Sequence, residues 1–223
     1  MMKNIFVLGD RNASSVTHRE LDAAIKLMPS GVTARWVGTD TPDAMRTSQA
    51  DAVWTVSGSP YRNDGAVYSA IKSARESGQP FLGTCAGFQY AVVEFARNVA
   101  GIADADHAET TPDGINLVVG RLDCSLIGQE RHVTAIPGTR MCDLCGNAPF
   151  VGFHWCNYGL APAYADRLAE HGLVIAARAD DAGVEAVELP NHPFFLATLF
   201  QPQVGSLAGQ PLHPVIEAFV AAI

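Results

Sequence analysis

Residues 80–97, PFLGTCAGFQYAVVEFAR, decide the fold, because they indicate a strand end, a sharp turn and a helix in direct succession. Phe81-Leu82 is a short apolar strand end, and glycines at positions 83 and 87 permit a tight turn around Cys85. The pattern predicts a nucleophile elbow with its thiol at the C-terminal edge of a sheet, where the helix dipole favours thiolate. The alternative for so short a motif is a buried cysteine in an ordinary strand-to-helix turn.

The segments before the elbow alternate between strand and helix patterns. Strands are predicted at Ile5 to Leu8, Val32 to Val37 and Ala52 to Ser57, with amphipathic helices between them. Such alternation implies right-handed crossovers and a parallel sheet. We therefore expect an α/β fold, flavodoxin-like, with a mostly parallel central sheet and the pocket at its C-terminal edge.

The pattern changes between Ile115 and Leu199. Strand-like runs such as LVVGRL, HVTAI, LVIAAR and VEAVEL are separated by turn residues, which predicts antiparallel additions to the sheet. A final helix carries Val215, Phe219 and Ile223 on one face. We expect residues 1–223 to form a single domain.

Composition narrows the class of protein. The 223 residues are 48% hydrophobic, enough for one large core, and the net charge of −8 comes without a basic cluster. Nucleic-acid binding is therefore not expected. The N-terminal MMKNIFVLGD leads directly into a strand, and no later run reaches membrane-spanning length, so we predict a cytoplasmic protein that does not contact membranes.

The five cysteines suggest a competing chemistry. Cys142 and Cys145 form a C-x-x-C, with Cys124 upstream and His154 and Cys156 downstream, a set that could bind zinc or form a redox pair. A second C-x-x-C is missing, and the favoured interpretation makes Cys142 and Cys145 loop residues. Cys156 differs because it belongs to the aromatic segment FHWCNYG; a second thiol near Cys85 would indicate covalent transfer or redox chemistry.

The run AIKSARESGQPFLGTCAGFQYAVVEFARNVAGIADADHAET, residues 70–110, resembles the class I glutamine amidotransferase domain of CTP synthase. The resemblance extends more weakly to Ile5 to Gly9, to VSGSPYRNDG and to HPFFLATLFQPQ. It implies that Cys85 attacks the glutamine amide and that Gly58 and the backbone at Ala86 hold the oxyanion. It further implies that Gln89 and Glu109 contact the substrate. Nothing resembles the G-x-x-x-x-G-K-[ST] phosphate cradle, and no cofactor or metal is expected.

The chain departs from the family where the base and its orienter belong. Family members carry His-Pro-Glu where this chain has Gln201-Pro202-Gln203, and a carboxamide cannot accept a proton from a thiol near neutral pH. His154 is one candidate replacement, because it lies where the family carries a basic RHRHRYE-like segment. His18, in SVTHREL, is the other, and with Cys156 it is expected to support the site from outside the reacting groups.

Three functions stay open at this point. The first is a thiol-dependent amidohydrolase or amidotransferase that acts on glutamine or a related small amide through Cys85, with a non-standard acid/base. The second is a noncatalytic module that binds such a ligand. The third is a cysteine-based metal or redox protein. The expected ligand is a small amide or amino acid. A partner protein that accepts ammonia and assembly into a homo-oligomer are two further expectations that stay open.

Overall fold

The computed structural model describes residues 2–223. The strands in this span are β1 (Lys3–Leu8), β2 (Val32–Val37), β3 (Ala52–Thr55), β4 (Phe81–Thr84), β5 (Ala105–His107), β6 (Asn116–Arg121), β7 (Gln129–Ala135), β8 (Phe150–His154), β9 (Tyr158–Leu160), β10 (Val174–Ala179), β11 (Gly183–Glu188) and β12 (Phe195–Thr198). The α-helices are α1 (Val16–Lys26), α2 (Asp64–Ser77), α3 (Ala86–Asn98), α4 (Arg140–Cys145), α5 (Pro162–Glu170) and α6 (Pro214–Ala221). Two 3₁₀ segments, Pro42–Gln49 and Ser206–Ala208, lie between them.

Nine of these strands form one sheet in residues 2–223, in the order β2-β1-β3-β4-β12-β11-β10-β7-β8. The pairings from β2 to β12 are parallel, and those from β12 to β8 are antiparallel. The central strands β3, β4 and β12 are buried at every position, as expected where helices cover both faces. The predicted α/β class, parallel at one end with antiparallel additions, is confirmed.

Helix α3 is the central support of the site. Every residue from Ala86 to Ala96 is buried, because α3 packs between the large sheet and a small sheet ordered β5-β6-β9. A helix enclosed in this way is mostly apolar all round, as in the run AVVEFA, and its one buried carboxylate there, Glu94, forms a 2.8 Å ion pair with Arg75. The small sheet therefore faces the helix that begins at Cys85.

The interpretation of Cys142 and Cys145 as loop residues was wrong. Both lie in α4, which begins at an N-cap formed by Thr139, whose Oγ1 accepts a 3.2 Å hydrogen bond from the Cys142 N–H. The helix packs against α6 and β10, so burial of Met141 and Cys142 favours it over an open loop. Among residues 2–223 no group of three or more His, Cys, Asp or Glu side chains is placed to hold a metal ion.

The length and composition of the helices decide whether one of them could span a membrane. Across residues 2–223, none of the helices combines the length and the apolar character needed to cross a bilayer.

Candidate active site

Cys85 occupies the turn between β4 and α3 in a strained backbone conformation. Its φ of 55° and ψ of −108° make it the one non-glycine residue with positive φ within the described span 2–223. The Cys85 N–H donates a 2.8 Å hydrogen bond to the Thr198 carbonyl at the end of β12. The neighbouring strand thus fixes the turn, and the nucleophile itself carries the strain.

The two glycines of the elbow are needed for close packing. A Cβ at Gly87 would lie 2.3 Å from the Thr55 carbonyl oxygen, and one at Gly83 would lie 2.8 Å from the Gly87 carbonyl oxygen. Both distances are far below van der Waals contact. These positions therefore let α3 begin directly against β3 and β4.

Cys85 opens onto a cavity of about 660 Å³. Its wall combines hydroxyl, amide, aromatic and aliphatic side chains that belong to the segments 10–18, 57–59 and 155–158, together with Cys85, Gln89, Glu109 and Ile127. Asp10 and Glu109 line this cavity, and no Lys or Arg of residues 2–223 does. The carboxylate of Asp10 accepts hydrogen bonds from Thr39 and from the Arg62 N–H, so Glu109 is the acidic group more available to a ligand.

Gly58 lies on the cavity wall in a conformation that glycine tolerates best, with φ of 125°. His18 lines the same cavity and supports this loop, because its Nε2 lies 2.9 Å from the Ser57 carbonyl oxygen and its Nδ1 accepts a 2.9 Å hydrogen bond from the Asn12 N–H. Since Nδ1 accepts, the proton resides on Nε2, and burial lowers the pKa of His18. His18 is therefore neutral, and both of its ring nitrogens form hydrogen bonds.

A second buried histidine joins the two residues expected to contact substrate. His107 Nδ1 accepts a 3.0 Å hydrogen bond from the Glu109 N–H, and its Nε2 lies 3.0 Å from Gln89 Oε1. Gln89 Nε2 donates to the Tyr158 carbonyl at 2.8 Å, so the amide of Gln89 is held at both ends. The Glu109 carboxylate accepts a 2.6 Å hydrogen bond from Ser59 Oγ, which ties it to the loop of residues 57–59.

Gln201 and Gln203 are both buried, and Gln203 Nε2 donates a 2.7 Å hydrogen bond to Gln201 Oε1. Gln201 Nε2 and Gln203 Oε1 have no hydrogen-bond partner in the described residues. Neither side chain lines the cavity. The two carboxamides thus form a neutral pair behind the wall, with no group able to accept a proton at neutral pH.

His154 is also fully buried and does not line the cavity. Its Nε2 lies 2.9 Å from both carboxylate oxygens of Glu185, which is equally buried, and its Nδ1 has no partner within residues 2–223. A carboxylate that orients an imidazole is the arrangement found in base and orienter pairs. His154 and Glu185 share that geometry, and His154 lies two residues along the chain from Cys156.

Cys156 lines the same cavity as Cys85. The pKa of Cys156 is raised, first by its interaction with Cys85 and second by burial. Cys85 Sγ also lies 3.7 Å from the Trp155 carbonyl oxygen. Cys85 and Cys156 therefore line one cavity, whereas Cys124, Cys142 and Cys145 lie outside it.

Sequence reasoning missed His107, Ser59 and Glu185. A local pattern does not show that His107 reaches Gln89, and Glu185 lies 31 positions from its partner. The available signal for His107 was its place in DHAET, two residues before Glu109.

Comparison with known proteins identifies the family. The model described as glutamine amidotransferase class-I matches residues 12–206. The chain belongs to this family. Among curated relatives, CTP synthase of Pyrobaculum aerophilum is 36% identical over 191 residues, covering 81% of this chain and 36% of the relative. CTP synthase of Archaeoglobus fulgidus is 39% identical over 164 residues, covering 69% and 31%.

Solved structures agree with the fold. The Trypanosoma brucei CTPS glutaminase domain with bound acivicin superposes with a TM-score of 0.84 at 24% identity, covering 99% of this chain and 93% of that one. A glutamine amidotransferase from Thermotoga maritima gives 0.59 at 12% identity, covering 100% and 82%. At these identities the likeness shows the fold alone. The amidotransferase spans about a third of the length of its two curated relatives above.

Proposed function

We propose that this class I amidotransferase performs thiol-dependent amide chemistry on glutamine or a related small amide, with Cys85 as nucleophile. The observation that carries the proposal is a strained elbow thiol that opens onto a polar cavity also lined by Gln89 and Glu109. Thiolates are the side-chain nucleophiles least dependent on a neighbouring base. Attack of the Cys85 sulfur on the amide carbon would give a tetrahedral intermediate.

Gly58 and Ala86 are the proposed oxyanion donors. Ala86 is the first residue of α3, where backbone N–H groups lack intrahelical acceptors, and Gly58 faces the cavity from the opposite loop. Donors of this kind typically contribute about 3 to 4 kcal/mol each to transition-state stability. His18 supports this role through the Ser57 carbonyl and takes no direct part.

The proposed ligand carries an amine. Glu109 offers a carboxylate to an ammonium group. A hydrogen bond to His107 fixes the Glu109 backbone, and a hydrogen bond from Ser59 fixes its side chain. Without Lys or Arg on the described cavity wall, a ligand carboxylate would depend on hydroxyl and backbone donors. Glutamine fits through its amine and its amide, and amides without a carboxylate fit the same lining.

The leaving group needs a proton, and we propose His154, oriented by Glu185, as its source, a role that requires the imidazole to reach the cavity from its buried position outside the wall. The unpartnered Nδ1 of His154 supports this assignment. Gln201 and Gln203 can neither accept the proton of the Cys85 thiol nor transfer a proton to the leaving group. The curated relatives are CTP synthases, so a protein that accepts ammonia is a further proposed partner.

Ammonia release from glutamine tests the function. We expect weak turnover in the unmodified protein, none in Cys85→Ala, and at least about tenfold more in the double variant Gln201→His and Gln203→Glu, because positioned acid/base groups typically contribute about 10² to 10⁴. Gln203→Glu alone is the matched control, since it supplies an orienter without a base. Turnover that survives Cys85→Ala would overturn the proposal.

A noncatalytic binding module is the second candidate, and the neutral Gln201–Gln203 pair is the observation that favours it. In that case glutamine would slow alkylation of Cys85 by occupying the cavity, while neither the unmodified protein nor the double variant would release ammonia.

A further inference from the structure

The cavity holds a second thiol that amide chemistry does not use. Cys85 and Cys156 are 5% and 7% exposed, yet both face the cavity, and both are free. Cys85 Sγ lies 3.7 Å from the carbonyl oxygen of Trp155, the residue directly before Cys156. The Leu126 N–H fixes the backbone here with a 3.0 Å hydrogen bond to the Cys156 carbonyl. The backbone that leads into Cys156 is therefore held against the elbow sulfur, and the Cys156 thiol faces the same cavity.

The surroundings of Cys85 and Cys156 also suit a reaction that needs no acid or base beside the thiols. The buried pair Gln201–Gln203 offers no proton acceptor near neutral pH, while the interaction with Cys85 and burial raise the pKa of Cys156 and favour its thiol form. Thiol–disulfide exchange needs one reactive thiolate and one nearby thiol, and it needs no acid to expel an amine. A cavity of about 660 Å³ admits a small disulfide to the elbow sulfur.

We propose that Cys85 and Cys156 form a reversible intramolecular disulfide by exchange with small-molecule disulfides such as glutathione disulfide. The Cys85 thiolate attacks one sulfur of the small disulfide, whose S–S bond breaks and releases one thiolate. Cys156 then loses its proton to the released thiolate and attacks the Cys85 sulfur of the mixed disulfide, releasing the second small thiolate. Two protein thiols are oxidised, and one small disulfide is reduced to two thiols.

The attack of Cys156 on the mixed disulfide is easier than the raised pKa of Cys156 in the resting protein suggests. The interaction with Cys85 is the largest cause of the raised pKa of Cys156. In the mixed disulfide the Cys85 sulfur carries no negative charge, so this cause is removed and burial becomes the main opposition to ionisation. Formation of the mixed disulfide thus activates the thiol that resolves it.

The other cysteines serve as internal controls. Cys142 Sγ donates a 2.9 Å hydrogen bond to Asn147 Oδ1, and burial raises the pKa of Cys145 to about 11, so the C-x-x-C of α4 is poorly suited to exchange. Cys124 Sγ lies 4.0 Å from an Asp181 carboxylate oxygen and outside the cavity.

The experiment treats the full chain with glutathione disulfide at neutral pH and maps the linked peptides without reduction. We expect the Cys85–Cys156 peptide pair and at least a tenfold loss of Cys85 alkylation by iodoacetamide, both reversed by dithiothreitol. Cys156→Ser, and independently Cys156→Ala, should stop at a glutathionylated Cys85. Cys145→Ser should leave the reaction unchanged.

Two results would overturn the proposal. One is a glutathione adduct that persists on Cys85 in the unmodified protein, and the other is a linkage confined to Cys142 and Cys145. Failure of the amide chemistry would not affect the outcome, because exchange requires no glutamine and no turnover. Ammonia release by a protein that never forms the disulfide would conversely leave the proposed function intact.

Discussion

Single residues in this protein carry roles that residue type alone does not reveal. His18 and His107 each accept a backbone N–H at Nδ1 and present Nε2 to an oxygen, so each joins two walls of the cavity. Both imidazoles are neutral, because burial lowers both pKa values. His154 differs, since only one of its nitrogens is engaged. The free nitrogen is what an acid/base group requires.

This difference predicts which histidine affects the elbow thiol. His154→Gln should move the pH profile of Cys85 alkylation upward by about one unit or more, equivalent to about 1.4 kcal/mol per unit, because an imidazolium stabilises a nearby thiolate. Glutamine can still donate to Glu185, which protects the buried carboxylate. Labelling rates measured by mass spectrometry between about pH 5 and about pH 9 check the shift.

His18→Gln is the matched control, and its profile should stay in place, since His18 acts through the Ser57 carbonyl. A profile that moves for His18→Gln and not for His154→Gln would transfer the role to the loop before α1.

At the scale of elements, the turn from β4 to α3 depends on one close approach. The second residue of α3 is Gly87, where a Cβ would lie 2.3 Å from the Thr55 carbonyl oxygen of β3. Thr55 belongs to a fully buried central strand and cannot move aside without disturbing its pairing with β4. The elbow is therefore rigid because a strand supports it.

We predict that Gly87→Ala lowers the free energy of unfolding by about 2 kcal/mol or more, within the range that overpacking of a core costs. Gly65→Ala is the matched control, because Gly65 is likewise the second residue of a helix, and its added Cβ would meet only the side chain of Asn63 at 3.4 Å. That control should be neutral or stabilise by up to about 1 kcal/mol. Equal effects of the two substitutions in urea denaturation would contradict the close-approach argument.

The sequence predicts the elements better than their contacts. The strands Ile5 to Leu8 and Val32 to Val37 were recognisable because apolar periodicity is a local property, and they pair in the predicted parallel sheet. The hydrogen bond from Gln89 to the Tyr158 carbonyl was missed because 69 positions separate the two residues. Contacts of this kind depend on how the two sheets enclose α3. The helical turn at Cys142 was missed because packing, not periodicity, decides so short an element.

At the scale of the whole molecule, buried histidines couple stability to pH. Burial lowers the pKa of His107 from 6.5 to about 4, and that of His213 likewise to about 4. Above pH 6.5 these residues are mostly neutral in both states, so the folded state keeps its full stability. As the pH falls from 6.5 towards 4, the unfolded chain binds protons that the folded chain does not, and stability decreases.

For fully buried His107 we expect a loss of about 3 kcal/mol across this window, at about 1.4 kcal/mol per unit. Urea denaturation at about pH 7, 5.5 and 4.5 measures the slope, and His107→Asn should flatten it by about the His107 share while lowering stability at neutral pH. Carboxylates contribute equally to both proteins and cancel in the difference. Identical slopes would show that His107 titrates alike in the folded and unfolded chain.

The hydrogen bond from the Cys85 N–H to the Thr198 carbonyl has a consequence for how this scaffold changes over time. The strain at the elbow is maintained by β12 and by the packing of Thr55 against Gly87, and neither contact involves the side chain of Gln201 or Gln203. Substitutions at those two positions can therefore accumulate without releasing the turn. Different residues therefore determine the exposure of the thiol and the identity of the proton carrier. The reaction can change during evolution while the position of the Cys85 sulfur stays the same.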